Sequence, residues 1–345
     1  MILLRNTTRS DLDGIYQLSQ KDGIGITTLP NDRLVLAQRL DWSIQSCIKD
    51  VSDPGNEYYL FVLEDLESAT IIGTSAIEAS TGYSLPFYSY HVSKQTRFCP
   101  ALNLRNDYSI LELTNDNQGK SEICTLFLDS KYRGHNYYGK LLSKSRFLFI
   151  ANNPQRFTTT IIAEMRGIAD ESGCSPFWES VGQHFFHMSF AHADLLTLTS
   201  NKQFISDLMP RYPIYINLLS NAAQNVIGRP HSSARAAMQI LLDEGFYPTN
   251  YVDIFDAGPV LECHNQAVNT IINSKVVTIK QLSNMITTTD SHNYSIATTG
   301  IDFRATIGDV LLDSKQSECI INQDIAEILH VKPTEHLRIF NWSKI

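Results

Sequence analysis

Hydrophobic and polar positions along the chain switch between a period of about two and one of about 3.6, and the switches mark the elements. Residues 1–5 (MILLR) read as a short strand. Residues 7–10 offer capping side chains for a helix that sets Leu12, Ile15, Tyr16 and Ser19 on one face. The loop KDGIGITTLP separates it from a second predicted helix, Asp32 to about Ser46, with Leu36, Leu40 and Ile44 at four-residue spacing. Residues 58–63 and 70–79 read as two strands joined by the polar turn EDLESA, a hairpin. Residues 82–119 are turn-rich and show no clear period. The apolar run 123–128 predicts a buried strand that ends at Asp129-Ser130. A basic turn with two glycines follows, and then a helical pattern through Leu141, Leu142, Ser145, Leu148 and Phe149. Further on, 159–165 is an apolar strand, 176–187 a helix carrying FWESVGQHFF, and 236–243 a helix stopped by Gly245. A strand through 251–255 comes next.

Beyond Asp256-Ala257-Gly258-Pro259 the chain becomes rich in Thr, Ile, Val, Asn and Ser, with short alternating runs such as VVTIKQL and YSIATTGIDFRA. That pattern predicts a small β-rich domain with one helical patch near 324–329. The fold class expected is α+β, with domains at 1–255 and 256–345.

Composition narrows the function. At 345 residues with 43% hydrophobic content, the chain supports a sizeable core and two domains. A formal net charge of -8 argues against a general nucleic-acid binder, because phosphate contacts need clustered Lys and Arg. The six cysteines are scattered without a CxxC pair, which disfavours a disulfide framework and a zinc site and favours reduced thiols in the cytoplasm. The opening residues turn polar too soon for a secretory signal, and no apolar run approaches the roughly 18 residues of a membrane span.

The strand, glycine turn and helix start at 121–149 have a geometry that aims backbone N–H groups at an anion. From spacing alone an ordinary strand–loop–helix connection is the favoured reading. The element order 1–255 resembles the acyl-CoA N-acyltransferase (GNAT) superfamily, in which such a turn holds the coenzyme pyrophosphate. Here Arg133-Gly134-His135-Asn136-Tyr137-Tyr138-Gly139 departs from the usual Q/R-x-x-G-x-G/A by one extra residue.

Longer blocks carry a more specific likeness. GIGITTLP, PFYSY, SEICTLFLD, LLSKSRFLFIA, AEMRG, SPFWES, DLMPRYPIYI, AQNVIGRPH and VDIFDAGPVLE together resemble the arginine N-succinyltransferase family between about residues 20 and 262. The resemblance implies a GNAT-like domain with a mixed central sheet, followed by a small β-barrel-like domain. It implies transfer of succinyl from succinyl-CoA to the α-amino group of L-arginine in a catabolic route to glutamate, with no permanently bound cofactor or metal. It also implies a homodimer or a hetero-oligomer with a related subunit, and no nucleic-acid or membrane partner. A noncatalytic relative of the same fold, or an acyltransferase using ornithine or another acyl-CoA, stays open.

The chemistry needs a deprotonated amine, stabilisation of an oxyanion, and a proton for the departing thiolate. Both substrates are held together, so no covalent nucleophile is required. Cys124, in an apolar strand, is expected to be a small buried hydrophobe. His231 stands at a loop-to-helix junction, and an ordinary histidine pKa near 6.5 suits proton transfer. Position alone also allows a capping role; the resemblance makes it the proton donor, as the histidine closing an IG-x-x-H motif. By the same resemblance, the backbone of Leu126, Phe127 and Leu128 would hold the pantetheine arm. Arg133, Gly134, Gly139 and Lys140 would surround the pyrophosphate, and Gly25 and Thr27 would shape the acceptor pocket. Alternation puts Glu164 and Arg166 on one face, where Glu164 suits a guanidinium and Arg166 a carboxylate, or each serves an internal partner. Lys144 and Arg146 should face different ways, one toward phosphate and one to solvent. His184 and His187 are expected at the rim of an aromatic helix, and His135 in a solvated or phosphate-touching loop.

Overall fold

A computed structural model describes the chain except residues 22–28, 135–136, 171–172, 200–201, 285, 287–292 and 343–345. Gly25, Thr27 and His135 lie outside the described residues. The elements begin with β1 (Ile2–Asn6), α1 (Leu12–Ser19), α2 (Arg33–Ile48), β2 (Tyr58–Asp65) and β3 (Thr70–Glu78). Helix α2 starts where Asp32 accepts hydrogen bonds from the N–H groups of Leu34 (2.8 Å) and Val35 (3.1 Å). Ahead of α1, Asp11 takes both arms of the Arg5 guanidinium at 2.8 and 2.9 Å and the Thr8 N–H at 2.7 Å.

The segment expected to be turns is instead a long hairpin, β4 (Ser89–Cys99) and β5 (Leu104–Thr114), registered from Ser89–Thr114 to Cys99–Leu104. Its outer half is exposed on both faces, so no hydrophobic alternation betrays it. The chain continues through β6 (Ser121–Leu128), α3 (Tyr138–Asn152) and β7 (Thr160–Glu164). The single helix expected at 176–187 is two, α4 (Pro176–Ser180) and α5 (Gly182–Phe186), broken at Val181. A Cβ on Gly182 would stand 2.2 Å from the Trp178 ring, so the tight bend at that point needs glycine. Next come α6 (Phe190–Thr199), α7 (Gln203–Leu208), β8 (Ile214–Tyr215), α8 (Asn221–Val226), α9 (Arg235–Asp243), β9 (Tyr247–Val252) and β10 (Pro259–His264). Then follow α10 (Asn269–Asn273), β11 (Lys275–Ser283), β12 (Asn293–Thr298), β13 (Arg304–Leu312), β14 (Glu318–Asn322), α11 (Gln323–Leu329) and β15 (His336–Asn341).

The central sheet runs β1-β2-β3-β6-β7-β10-β9 and is antiparallel except between β6 and β7. Pairing with β7 carries β10 in this sheet as far as His264. The last five strands close into a barrel, β12-β15-β11-β14-β13 and back to β12, with β11 and β14 parallel. Strand β13 also pairs with β1, so sheet and barrel share a seam.

Helix α3 is buried almost all round because it lies between them. Phe149 meets Tyr59 and Phe61 of the sheet at 5.0 and 5.1 Å and Phe303 of the barrel domain at 5.4 Å. At its last turn, Arg338 of β15 donates to the Asn152 side chain at 2.7 Å and to the Ala151 carbonyl at 3.2 Å. Asn152 donates in turn to the Thr298 carbonyl at 2.8 Å. A cation thus caps the negative end of the helix.

Candidate active site

Strand β6 carries the main irregularity of the sheet. Against β3, Ala76 faces Cys124 but Thr74 faces Phe127, so Thr125 and Leu126 together oppose one residue. That is a β-bulge, and Thr125 takes a left-handed φ of 52° to make it. The bulge is pinned: Thr74 Oγ1 donates to the Thr125 carbonyl at 3.1 Å, and Tyr58 OH lies 2.9 Å from Thr125 Oγ1. It also flips the alternation. Ile123, Leu126 and Leu128 pack with the α3 core, whereas Cys124 and Phe127 pack with the α1–α2 core. On the other edge β6 is registered with β7 only at Ser121–Ile161 and Glu122–Ile162, although both strands continue. The sheet opens there into a wedge bordered by the backbone of Leu126, Phe127 and Leu128.

At the mouth of the wedge stands the glycine turn. Gly134 has φ +77° and open space where a Cβ would be. Arg133 donates from Nε to the Leu128 carbonyl at 2.8 Å and its guanidinium lies 5.6 Å from the Phe127 ring. Lys140, on the first turn of α3, is exposed with its Nζ 5.5 Å from the Tyr137 ring. A Cβ on Gly139 would stand 3.8 Å from Leu128 Cδ2, so both glycines border the same turn. Lys144 and Arg146 are a correction, because neither reaches phosphate or solvent. Lys144 pairs with Glu244 at 2.5 Å inside the core. Arg146 donates to the Ser143 carbonyl and hydroxyl, both at 3.0 Å, and burial lowers its pKa to about 10. In sequence one of the two reads as a phosphate contact and the other as an exposed charge, because nothing local shows that Glu244 and the barrel close over Lys144 or that Arg146 turns toward Ser143 and β6.

A cavity of about 140 Å³ opens beside the end of β7, lined by Glu164, Asp194, Lys202, Asp253 and the aromatic residues Phe87, Tyr88 and Phe255. Glu164 Oε1 is buried there without a hydrogen-bond partner among the described residues. Burial, Asp253 and Glu122 together raise the Glu164 pKa well above the usual carboxylate value. Glu122 faces Glu78 across β3 and β6, and burial followed by that neighbour pushes it up to about 8. Lys202 and Arg39 act in the opposite sense on Glu122. This nest of partly protonated carboxyls is chemistry prepared for a cation. A larger cavity of about 310 Å³ lies by Arg5, Asp11, Lys21 and Glu64. Its charges are already satisfied by Arg5–Asp11, Arg5–Glu64 and Lys21–Asp129 pairs.

The exit of β7 is zipped to the turn 253–258. Asp256 accepts from the N–H groups of Gly167 (2.7 Å) and Gly258 (2.8 Å), and a Cβ on Gly258 would sit 1.9 Å from the Met165 carbonyl. Arg166 lies just beyond the strand, so strict alternation with Glu164 ends at residue 164. Its carbonyl accepts from the His231 N–H at 2.8 Å. The His231 ring caps the turn at Ser232–Ala234: Nδ1 accepts from the Ser233 N–H at 3.2 Å and lies 2.7 Å from Ser233 Oγ. Because a backbone N–H can only donate, the neutral ring carries its proton on Nε2. Burial, then Arg166 and Arg235, lower its pKa below 6.5. The structure therefore joins His231 to Arg166, and Leu126–Leu128 to the glycine turn.

Cys124 is partly buried and its thiol is pushed upward by burial, which suits packing and not nucleophilic attack. His184 and His187 are exposed. Among the described residues no three His, Cys, Asp or Glu side chains are grouped to hold a metal, and no helix is long and apolar enough to cross a membrane. Sequence reasoning missed Thr125, Glu122, Asp253 and Lys202. A signal existed for two of them: Glu122 stands directly before the apolar run 123–128, and Asp253 sits inside VDIFDAG.

Residues 2–270 match the family described as arginine N-succinyltransferase beta subunit, and 275–341 match the C-terminal domain of that subunit. Arginine N-succinyltransferases of Enterobacter sp. (strain 638) and Escherichia coli O6:H1 are each 44% identical to the chain, over 81% of its length and 81% of theirs. The structure of arginine/ornithine succinyltransferase subunit AI from Pseudomonas aeruginosa superposes with a TM-score of 0.88 at 32% identity, over 99% of this chain and 98% of that one. The fold as a whole is thus shared with a solved structure, and the chain belongs to the arginine N-succinyltransferase family of acyltransferases.

Proposed function

We propose that this protein transfers the succinyl group of succinyl-CoA to the α-amino group of L-arginine, giving N2-succinyl-L-arginine and CoA, in the cytoplasm and as a step of arginine catabolism. The observation that carries this reading is the wedge between β6 and β7 opening beside a cavity walled by the unpartnered Glu164. The pantetheine arm lies along the backbone of Leu126, Phe127 and Leu128, and the pyrophosphate rests at Arg133, Gly134, Gly139 and Lys140 at the positive end of α3. Glu164 takes the guanidinium and Arg166 the α-carboxylate. The family resemblance alone assigns Gly25 and Thr27 to the acceptor pocket.

The free α-amine attacks the thioester carbonyl, and the negative charge that develops on the carbonyl oxygen falls on backbone N–H groups around the bulge. As the tetrahedral intermediate collapses, the C–S bond breaks, the nitrogen gives up its extra proton to solvent and the CoA sulfur takes one. His231, protonated, supplies that proton from Nε2 while its Nδ1 turns from acceptor to donor toward Ser233 Oγ; its lowered pKa makes the imidazolium a stronger acid while keeping the charged fraction small near neutrality. The chemistry calls for no resident cofactor or metal.

Free thiol release tests the proposal with succinyl-CoA or acetyl-CoA against arginine, ornithine and lysine. Turnover with succinyl-CoA and arginine is expected. No turnover with any pair would make the chain a noncatalytic member of the fold. Preference for acetyl-CoA would overturn the donor, and preference for ornithine the acceptor.

A further inference from the structure

Helix α3 holds a buried cation that no acid answers. Arg146 is 2% exposed. Its guanidinium donates to the Ser143 carbonyl and hydroxyl, both at 3.0 Å, and at a long 3.4 Å to the Cys124 carbonyl of β6. Those bonds use three of its five N–H groups. Among the described residues no carboxylate pairs with it. A buried charge is as a rule paired, because leaving it uncompensated is strongly destabilising. Arg156 and Arg338 show a second solution. Arg156 donates to the Ser46 and Lys49 carbonyls at the end of α2, and Arg338 to the Ala151 carbonyl at the end of α3, so each meets the negative pole of a helix. Arg146, in the middle of α3, has no such pole.

Its surroundings are short of acceptors as well. Ser145 Oγ, next along the helix, and Ser75 Oγ are buried without a hydrogen-bond partner among the described residues. Ser75 stands on β3 directly opposite the bulge, between Thr74, which faces Phe127, and Ala76, which faces Cys124. It lies on the side of the sheet that α3 covers, since it is registered with Phe61, whose ring meets Phe149 at 5.1 Å. A cation and two hydroxyls therefore flank the place where α3 crosses the bulge.

That place is also where the acyl chain of the donor ends. With the pyrophosphate at residues 133–140 and the pantetheine arm along Leu126–Leu128, the coenzyme runs back along β6 and its acyl group heads for Cys124. Cys124 is the second residue past Glu122, the last one registered with β7, so the chain there borders the wedge. A strand advances about 3.3 Å per residue, and the step from Leu126 back to Cys124 is roughly 7 Å. Two methylenes, a carboxylate and a hydrogen bond span the same distance. Succinyl-CoA carries its carboxylate at the end opposite its phosphates.

Resting on that reading of the coenzyme, we propose that Arg146 binds the terminal carboxylate of the succinyl group and thereby selects an acyl donor that ends in a carboxylate over one that ends in a methyl group. The carboxylate accepts the N–H groups still unused, in a water-poor site where a charged hydrogen-bonded pair is strong. A methyl end leaves them unsatisfied, which is the kind of mismatch a buried polar site rejects.

Calorimetric titration of the full chain, without acceptor, compares succinyl-CoA with butyryl-CoA, which has the same chain length and no carboxylate. Succinyl-CoA should bind roughly 10–100-fold more tightly. Arg146→Gln should erase that preference by weakening succinyl-CoA alone, and thermal melting by circular dichroism should show no loss of stability, because an uncompensated buried cation has been removed. Equal affinities in the natural chain overturn the site, and that comparison decides the matter even if the variant fails to fold. A preference that survives Arg146→Gln, or a parallel loss for both donors, also overturns it. Thiol release with arginine separates this from the transfer reading. Carboxylate-dependent binding without thiol release would end the transfer and leave the site; thiol release from succinyl-CoA with equal binding of both donors would end the site and leave the transfer.

Discussion

Lys144 and Glu244 form an ion pair at 2.5 Å with side chains only 3% and 0% exposed, linking helix α3 to the end of α9. The Glu244 carboxylate also accepts from the Thr270 N–H and hydroxyl, both at 2.7 Å, and the Lys144 ammonium lies 5.2 Å from the Phe340 ring and 5.7 Å from the Trp342 ring. Lys144→Met would strand a buried carboxylate and should cost about 3–5 kcal/mol in denaturant unfolding. The double variant with Glu244→Gln should recover a large part, because no uncompensated charge remains. Equal losses for both variants would count against this account.

Glu164→Gln keeps the shape of the acceptor cavity and removes its negative partner. Losing one charge-assisted contact of about 1.5–3 kcal/mol should raise KM for arginine roughly 10–100-fold and leave KM for succinyl-CoA nearly unchanged. Steady-state kinetics with each substrate varied in turn decides it. Parallel rises in both constants would show a structural role only.

Arginine binding should release protons. With Glu122 pushed up to about 8, the folded protein holds a proton there at pH 7 that the unfolded chain loses near 4.5. Folded protein therefore binds more protons than unfolded between those values, and stability contributed at this position declines as pH rises from about 4.5 to about 8. A guanidinium beside Glu164 favours the ionised form of the neighbouring carboxyls, so binding at pH 7 should expel protons, in part from Glu122. Calorimetry in buffers of different ionisation enthalpy measures the number. Release should shrink above pH 8 and in Glu122→Gln.

His231→Ala should lower kcat roughly 10²–10⁴-fold with smaller effects on KM, the range for a lost proton-transfer group. Arg166→Gln removes a nearby positive charge and should move the His231 titration, followed by NMR, upward toward 6.5. Full activity of His231→Ala would end its proton-donor role.

Much of the fold is legible in the sequence where burial leaves a pattern. The β2–β3 hairpin and the strand before the glycine turn announce themselves as apolar runs buried between two cores, and the capped helices as stripes with one face to a core. The β4–β5 arm does not, since its outer half has no buried face to impose alternation. At the site, Glu164 and His231 are visible as residue types in the right neighbourhood. The bulge at Thr125 is not, because a left-handed φ at threonine is imposed by the pairing with β3 and by Tyr58, sixty-odd positions away. Long-range pairing likewise hides the burial of Lys144 and Arg146.

The grip of Arg338 on the last turn of α3 gives the barrel a part in the chemistry at the opposite end of that helix. A helix behaves as a stiff beam, and this one has its far end clamped by β15 while its near end aims N–H groups at the wedge. The tilt of the proposed anion site is then set in part by the barrel. Exchange of the barrel for an unrelated module would misaim the turn without altering a residue in it, so the two parts of the chain are constrained to change together.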